Sequence, residues 1–353
     1  MYRIAVIPGD GIGKEIVPEG IRVIDSVGKK FGLSFDWHYF PWSCEYYKKE
    51  GRMMPRDGLQ TLSEYDAIYL GAVGSPDVMD HVSLWGLLIP IRRGFQQYVN
   101  LRPVKLLRGI TSPLRNIKPG SIDLCVVREN VEGEYSNVGG KAYEGTDQEM
   151  VLQETIFTRK GVTRVMRFAF ELAKGRKKKH LTSATKSNGI VHTMPYWDQI
   201  FKELSSEYPE ITTDQYHIDA LCAKFVLDPG RFDVVVGSNL FGDILSDLAP
   251  SVAGSLGIAP SANLNPTKEF PSMFEPVHGS GPDIAGKGVA NPIGQIWSGA
   301  MMLEHLGHPE AARVVENAIE KVISDKKIST PDLGGSATTG DVGKSIAQVV
   351  SNS

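Results

Sequence analysis

Asp233-Val234-Val235-Val236-Gly237, followed a few residues on by Gly242-Asp243-Ile244-Leu245-Ser246-Asp247, reads as a strand, a short loop and a helix that carries two carboxylates. The same alternation extends outward in both directions. Strand-like apolar runs recur at Ile4–Ile7, Ala67–Leu70, Asp123–Val127 and Leu181–Ala184. Between them lie amphipathic stretches such as Glu15–Phe31, Lys160–Lys174 and Tyr196–Tyr208. Strands separated by helix-length amphipathic segments imply an α/β fold with mostly parallel strands inside. Near the end, Gln295–Leu306 and Pro309–Ser324 read as two helices joined by a Gly-His-Pro turn.

At 353 residues the chain exceeds one ordinary core, so two domains are expected. A net charge of −3 argues against a general nucleic-acid or membrane-surface binder. The one basic run, Arg176-Lys177-Lys178-Lys179-His180, follows an amphipathic stretch and reads as a solvated helix end that favours the helix dipole. No apolar run approaches the about 20 residues of a membrane span. The chain opens directly on a strand, which leaves no room for a secretory signal. Three widely spaced cysteines, Cys44, Cys125 and Cys222, match no zinc or disulfide pattern, and a reducing cytoplasm is the expected compartment. One segment breaks the rhythm. Residues 135–160 are polar, hairpin-like and poor in core formers, and a protruding β arm needs a partner to bury its edges.

Asp243 and Asp247 are four residues apart, so a helix stacks them on one face. Like charges at that spacing repel by about 0.2–0.5 kcal/mol. A divalent cation between them removes the repulsion, because hard cations take carboxylate oxygens; two solvated surface acids remain the plain alternative. The arginines Arg92, Arg93, Arg102 and Arg128 could fork carboxylates, or form unrelated surface ion pairs. In Arg128-Glu129-Asn130-Val131-Glu132-Gly133-Glu134-Tyr135 a phenol follows the arginine by seven residues and can act as a general acid, or pack on the surface. Lys186, in Thr185-Lys186-Ser187-Asn188, stands at the C-terminal end of a strand, where it can serve as a base or simply lie exposed. The run Glu275-Pro276-Val277-His278-Gly279-Ser280-Gly281-Pro282-Asp283, continuing to Asn291-Pro292, is a long glycine-rich turn that a ligand can approach closely. Asp283 there could accept from a ribose 2′-hydroxyl and repel a 2′-phosphate. Gly9-Asp10-Gly11-Ile12-Gly13 tempts a dinucleotide-fold reading, but the required third glycine or alanine is Lys14, so the fingerprint fails.

Together these runs resemble the β-decarboxylating dehydrogenases, the family of isocitrate and isopropylmalate dehydrogenases. The resemblance rests on Ile7-Pro8-Gly9-Asp10-Gly11-Ile12-Gly13, Asn100-Leu101-Arg102-Pro103, Arg128-Glu129-Asn130, the double-aspartate helix, the Glu275-to-Pro292 loop and Pro331-Asp332-Leu333-Gly334-Gly335. Pro41-Trp42-Ser43-Cys44-Glu45-Tyr46-Tyr47 with Asp80-His81-Val82-Ser83-Leu84-Trp85-Gly86 is most similar to the tartrate and D-malate dehydrogenase branch.

The resemblance implies an isocitrate/isopropylmalate dehydrogenase-like α/β fold, unlike a Rossmann fold, whose two domains share a large mixed sheet. One domain comprises residues 1–98 with 254–353. The other, 99–253, is inserted and bears the dimerisation arm. The resemblance further implies that Arg92, Arg102 and Arg128 hold substrate carboxylates, that Tyr135 and Lys186 are catalytic, and that Asp219, Asp243 and Asp247 bind metal. Asp219 and the lysine would come from the neighbouring subunit of a homodimer. Glu275, His278, Gly279, Asp283 and Asn291 match a cofactor loop, and Asn188 a nicotinamide-side contact. The implied activity is metal-dependent, NAD-linked oxidation of a 2-hydroxy dicarboxylate with Mg2+ or Mn2+, K+ being a further candidate. The substrate is D-malate, giving pyruvate and carbon dioxide, or tartrate, giving oxaloglycolate. Lys186 would take the hydroxyl proton, directly or through water, and Tyr135 would protonate the enolate left by decarboxylation. Leu88 is expected to join the arginines in binding substrate; the apolar pocket near Leu87, Leu88 and Ile89 raises 3-isopropylmalate as an alternative substrate, and a non-catalytic ligand-binding relative is the alternative of another class.

Overall fold

A computed structural model describes residues 1–353. Its strands, in chain order, are β1 (Tyr2–Gly9), β2 (Phe35–Tyr39), β3 (Ala67–Ala72), β4 (Val99–Lys105), β5 (Asp123–Glu129), β6 (Gly139–Ala142), β7 (Met150–Gln153), β8 (His180–Thr185), β9 (Thr212–His217), β10 (Val234–Gly237), β11 (Pro260–Leu264) and β12 (Ser272–Pro276). The chain divides into two compact units: Met1–Asp123 with Ala249–Ser353, and Leu124–Leu248.

The first unit orders its strands β2-β1-β3-β12-β11-β4. β1 pairs in parallel with β2 and β3, and β3 with β12, whereas β11 runs antiparallel to β12 and β4. Ile4 to Ile7 and Ala67 to Leu70 are wholly buried, as strands covered on both faces must be. One cover is the helix Ile293–His305, in which every residue from Ile293 through Leu303 is buried. Another is the helix Gly13–Phe31, whose apolar face runs through Ile16, Val17, Val23, Ile24 and Val27. The first division falls at residue 123 rather than at 98. The reason is pairing: Leu101 of β4 lies opposite Ala262 of β11, and Asn100 opposite Asn263, which keeps β4 with the first unit.

In the second unit β5, β10, β8 and β9 form an all-parallel series in that order. Val234, Val235 and Val236 lie at its centre with no exposed surface, which explains their unbroken apolar run. The helices Arg159–Gly175 and Thr193–Ser205 bury Phe170, Trp197 and Phe201. Residues 135–160 leave this layer. There β6 and β7 form an isolated antiparallel pair, its base closed by a bridge between Gly133 and Ile156. Apolar residues on this arm stand in solvent, with Met150 53%, Val151 65% and Leu152 51% exposed.

The basic run is spent locally. Arg176 pairs with Asp233, and Lys178 donates to the carbonyls of Gly230 and Phe232. All three cysteines are free thiols. No helix is long and apolar enough to cross a membrane.

Candidate active site

In the second unit the chemistry gathers where β5 and β10 end. β10 is followed after one residue, Ser238, by the helix Asn239–Val252. The start of this helix is held by Glu134, whose carboxylate accepts from the Ser238 hydroxyl at 2.7 Å and from the Leu240 amide at 3.1 Å. An acid there complements the positive end of the helix dipole. The two other glutamates of the segment also have structural partners. Glu129 is fully buried and accepts from the amides of Val131 and Glu132. Glu132 accepts from the amide and hydroxyl of Thr158, the N-cap of the helix Arg159–Gly175. The loop from Arg128 to Tyr135 is thus pinned at three points.

That pinning sets Tyr135 and Arg128 against Asp243. The Tyr135 hydroxyl donates to Asp243 Oδ2 at 3.0 Å. Arg128, 3% exposed, pairs with Asp243 Oδ1 through one arm. Its Nε and other terminal nitrogen both donate to Asn239 Oδ1, at 3.0 and 2.7 Å. The guanidinium also lies 5.5 Å from the Tyr135 ring centroid. Asn239 and Asp243 are four residues apart on one helix face, as are Asp243 and Asp247. Leu245, on the opposite side of the helix, is wholly buried, whereas Asp243 is half-buried and Asp247 exposed.

Lys186 follows β8 directly, and its Nζ lies 2.9 Å from Asp219 at the start of the helix Ile218–Leu227. The hydrogen bond from this lysine holds the Asp219 carboxyl below its ordinary pKa. Asn188 is exposed in the turn after Lys186. Asp219, Asp243 and Asp247 do not meet within one chain, since no group of three His, Cys, Asp or Glu side chains is placed to hold a metal ion.

In the first unit Arg92 and Glu275 form an ion pair at 2.9 Å, with side chains 9% and 11% exposed. Burying such a pair demands further hydrogen bonds. Glu275 receives one from Asn263 at 2.7 Å, and Asn263 Oδ1 in turn accepts from Asn100 at 3.0 Å. A buried polar relay therefore runs from β4 through β11 to β12 and Arg92. Arg102, on β4, is 7% exposed. Leu87 and Ile89 are core residues and Leu88 packs beside the core, so this trio builds no open apolar pocket.

The loop after β12 has three notable groups. His278 Nδ1 faces the Gly279 carbonyl at 3.0 Å, while its Nε2 is buried without a partner. Burial lowers the pKa of this imidazole, the Gly279 carbonyl and Asp332 opposing. The neutral ring then carries its proton toward the carbonyl and leaves Nε2 as an unused acceptor. Asn291 is buried; it donates to Asp332 at 3.0 Å and accepts from the Ile293 amide at 3.0 Å, where the next helix begins. Gly279 and Asp283 are exposed. An orphaned acceptor, an open carboxylate and uncrowded glycine backbone fit a nucleotide carrying both donors and hydroxyls.

Sequence reasoning missed Asn239, Asn263, Glu134 and Asp332. The i, i+4 relation to Asp243 could have pointed to Asn239. Asp332 lay within a quoted motif, but its partners Asn291 and Ser255 are distant in sequence.

A model of the isocitrate/isopropylmalate dehydrogenase family matches residues 3–346. The D-malate dehydrogenase [decarboxylating] of Escherichia coli (strain K12) is 57% identical over 355 residues, covering 99% of this chain and 98% of that protein. A tartrate dehydrogenase/decarboxylase of Pseudomonas putida is 57% identical over 357 residues, again covering 99% and 98%. Among solved structures, the isocitrate dehydrogenase from Methylococcus capsulatus superposes with a TM-score of 0.89 at 35% identity, covering 99% of this chain and 100% of that one.

Proposed function

The chain belongs to the isocitrate/isopropylmalate dehydrogenase family, and from that premise we propose that it oxidises a 2-hydroxy dicarboxylate, either D-malate, with decarboxylation, to pyruvate and carbon dioxide, or tartrate, without loss of carbon, to oxaloglycolate. The hydride acceptor is NAD and the metal is Mg2+ or Mn2+. The observation that carries this reading is the convergence of Arg128 and Tyr135 on the Asp243 carboxylate. The substrate class follows the full-length likeness to relatives of both names.

Asp243, Asp247 and Asp219 supply only carboxylate oxygens, the donor set that a hard divalent cation takes. A cation held by these aspartates would supply Lewis acidity where negative charge develops on the C2 oxygen. Arg92, Arg102 and Arg128 hold the substrate carboxylates and orient the C–C bond that breaks. Lys186 takes the proton from the C2 hydroxyl, directly or through one water, in the oxidation for which a bound nicotinamide would be the hydride acceptor. The product is a β-keto acid, and loss of carbon dioxide leaves an enolate. Tyr135 then delivers its hydroxyl proton to C3. The 3.0 Å bond to Asp243 aims that hydroxyl.

The active form is a homodimer whose sites are shared. Lys186 and Asp219 are held together on one chain, whereas Tyr135, Arg128 and Asp243 form a second set. A site containing all three aspartates draws Lys186 and Asp219 from the neighbouring chain. The solvent-exposed apolar arm at 135–160 is the element that clasps the partner.

Steady-state rates on D-malate, both tartrates and 3-isopropylmalate, with NAD, Mn2+ or Mg2+, and with or without K+, test the assignment. D-malate or a tartrate should exceed 3-isopropylmalate in kcat/KM by at least about tenfold; the reverse order refutes it. Replacing Asp283 by Lys should turn the cofactor preference toward NADP, since an acid repels the 2′-phosphate that a lysine attracts. An unchanged NAD/NADP ratio would remove Asp283 from the ribose site.

A further inference from the structure

Gly9-Asp10-Gly11-Ile12-Gly13 fails as a dinucleotide fingerprint, yet its turn is tightly fixed by its neighbours. Gly9 and Gly11 hold left-handed backbone, at φ of 72° and 52°. Asp10 is buried, and its carboxylate accepts from the amides of Cys44 at 3.0 Å and Gly74 at 3.1 Å. Beyond it the chain meets the 279–291 loop in three ways. The Ile12 amide donates to the Ser280 carbonyl at 2.8 Å. A Cβ on Gly11 would stand 2.1 Å from that carbonyl oxygen, so only glycine permits the approach. Ile12, Ile16 and Ala290 form one apolar cluster, with Ile284 and Ala285 packed on it. Glu15 completes the contact. One of its oxygens accepts from the Gly286 amide at 2.5 Å and the other from the Gly288 amide at 2.9 Å.

We propose that Glu15 is a positioning residue, clamping the Gly286–Gly288 turn so that the loop bearing Asp283 and Asn291 is ordered before the nucleotide arrives; this rests on the assignment of that loop to the cofactor. Both clamped residues are glycines in left-handed backbone, at φ of 79° and 65°, and glycine is the residue that loses most freedom on being ordered. Besides the apolar contacts of Ile284, Ala285 and Ala290, this stretch is hydrogen-bonded at Thr339, whose amide donates to the Gly288 carbonyl and whose hydroxyl donates to the Ala290 carbonyl. Two charge-assisted bonds to one carboxylate hold both amides at once. Without them the competent loop becomes one member of an ensemble, and apparent affinity falls by the fraction of time it is formed. Cofactor affinity therefore depends on a side chain that acts through the loop backbone.

The test uses the full-length enzyme and Glu15→Gln, which keeps the shape but offers one acceptor oxygen instead of two. Hydrogen exchange of the cofactor-free protein reads the clamp, and NADH fluorescence titration reads the affinity. Amides of 284–290 should exchange about tenfold faster, and the NADH Kd and the KM for NAD should rise about tenfold. The kcat at saturating NAD should stay within about twofold, a split that general destabilisation would not give. Glu15→Asp, too short to span both amides, should move the same readouts in the same direction. Unchanged exchange in both variants overturns the inference. Faster exchange with unchanged NADH affinity also overturns it, provided Asp283→Lys still alters the NAD/NADP preference. If that preference is unchanged as well, the assignment of the loop fails and the clamp stands.

Discussion

Gly242 shows how one missing side chain fixes the geometry of the Asp243 set. A Cβ at this position would stand 2.5 Å from Arg128 Cβ and 2.9 Å from Arg128 Cα. The helix can lie against the end of β5 only because residue 242 has no side chain. Gly242→Ala should therefore push Arg128 and Asp243 apart, with overpacking costing about 1–3 kcal/mol in stability. A fall in kcat of more than about tenfold is expected, since displacement of about 1 Å at reacting groups is that damaging. Wild-type kcat in this variant would show that the close approach is not needed. Tyr135→Phe makes the complementary test on chemistry. Decarboxylation with protonation of the enol should fall about 100-fold or more, the range for a general acid, while reduction of oxaloacetate by NADH changes far less. Equal losses would remove the tyrosine from the proton-transfer step. At this scale the sequence was informative about residue type and poor about partners. The aspartate pair was legible because helical spacing alone places it. The hold of Asn239 on Arg128 was not, because it joins residues 111 apart.

At the scale of elements, the strand–helix alternation was readable because parallel strands covered on both faces must be continuously apolar. Ends were less so. The helix read at Tyr196–Tyr208 is formed by Thr193–Ser205. Its apolar period continues to Tyr208, which is 6% exposed and stacks on Phe170 with ring centroids 4.8 Å apart, but does so from a turn. Burial and helix are thus separable, and periodicity reports only burial. The end of β5 carries a pH signature. Burial pushes the Glu129 carboxyl up to about 7 from an ordinary 4.5, against the pull of amides from Glu132 and Val131. A raised carboxyl holds its proton in the folded state at pH values where the unfolded chain has released it. Folding stability is therefore lost as pH rises from about 4.5 to about 7, by on the order of 3 kcal/mol at most. Glu129→Gln should flatten that fall. Urea denaturation at pH 5 and pH 8 should show the variant gaining on the wild type at the higher pH, and parallel curves would contradict the assignment.

For the whole molecule, the nesting of the middle of the chain within its two ends is what the family resemblance implied. The first division moved to residue 123 because β4 is bound to β11, a pairing across about 160 residues that no local pattern announces. The arm was visible as a stretch without core formers, and its exposed Val151 and Leu152 now give it a surface to cover. The central claim is that each active site combines Lys186 and Asp219 of one chain with Tyr135, Arg128 and Asp243 of another. Subunit complementation tests it directly. Lys186→Ala and Asp243→Asn should each be inactive alone, since each damages every site of its own homodimer. When the two are co-expressed in equal amounts and assembled at random, half of the dimers are mixed, and each mixed dimer carries one site free of both substitutions. About a quarter of wild-type activity should return. A mixture no more active than the two separate variants would mean that each site is built within a single chain.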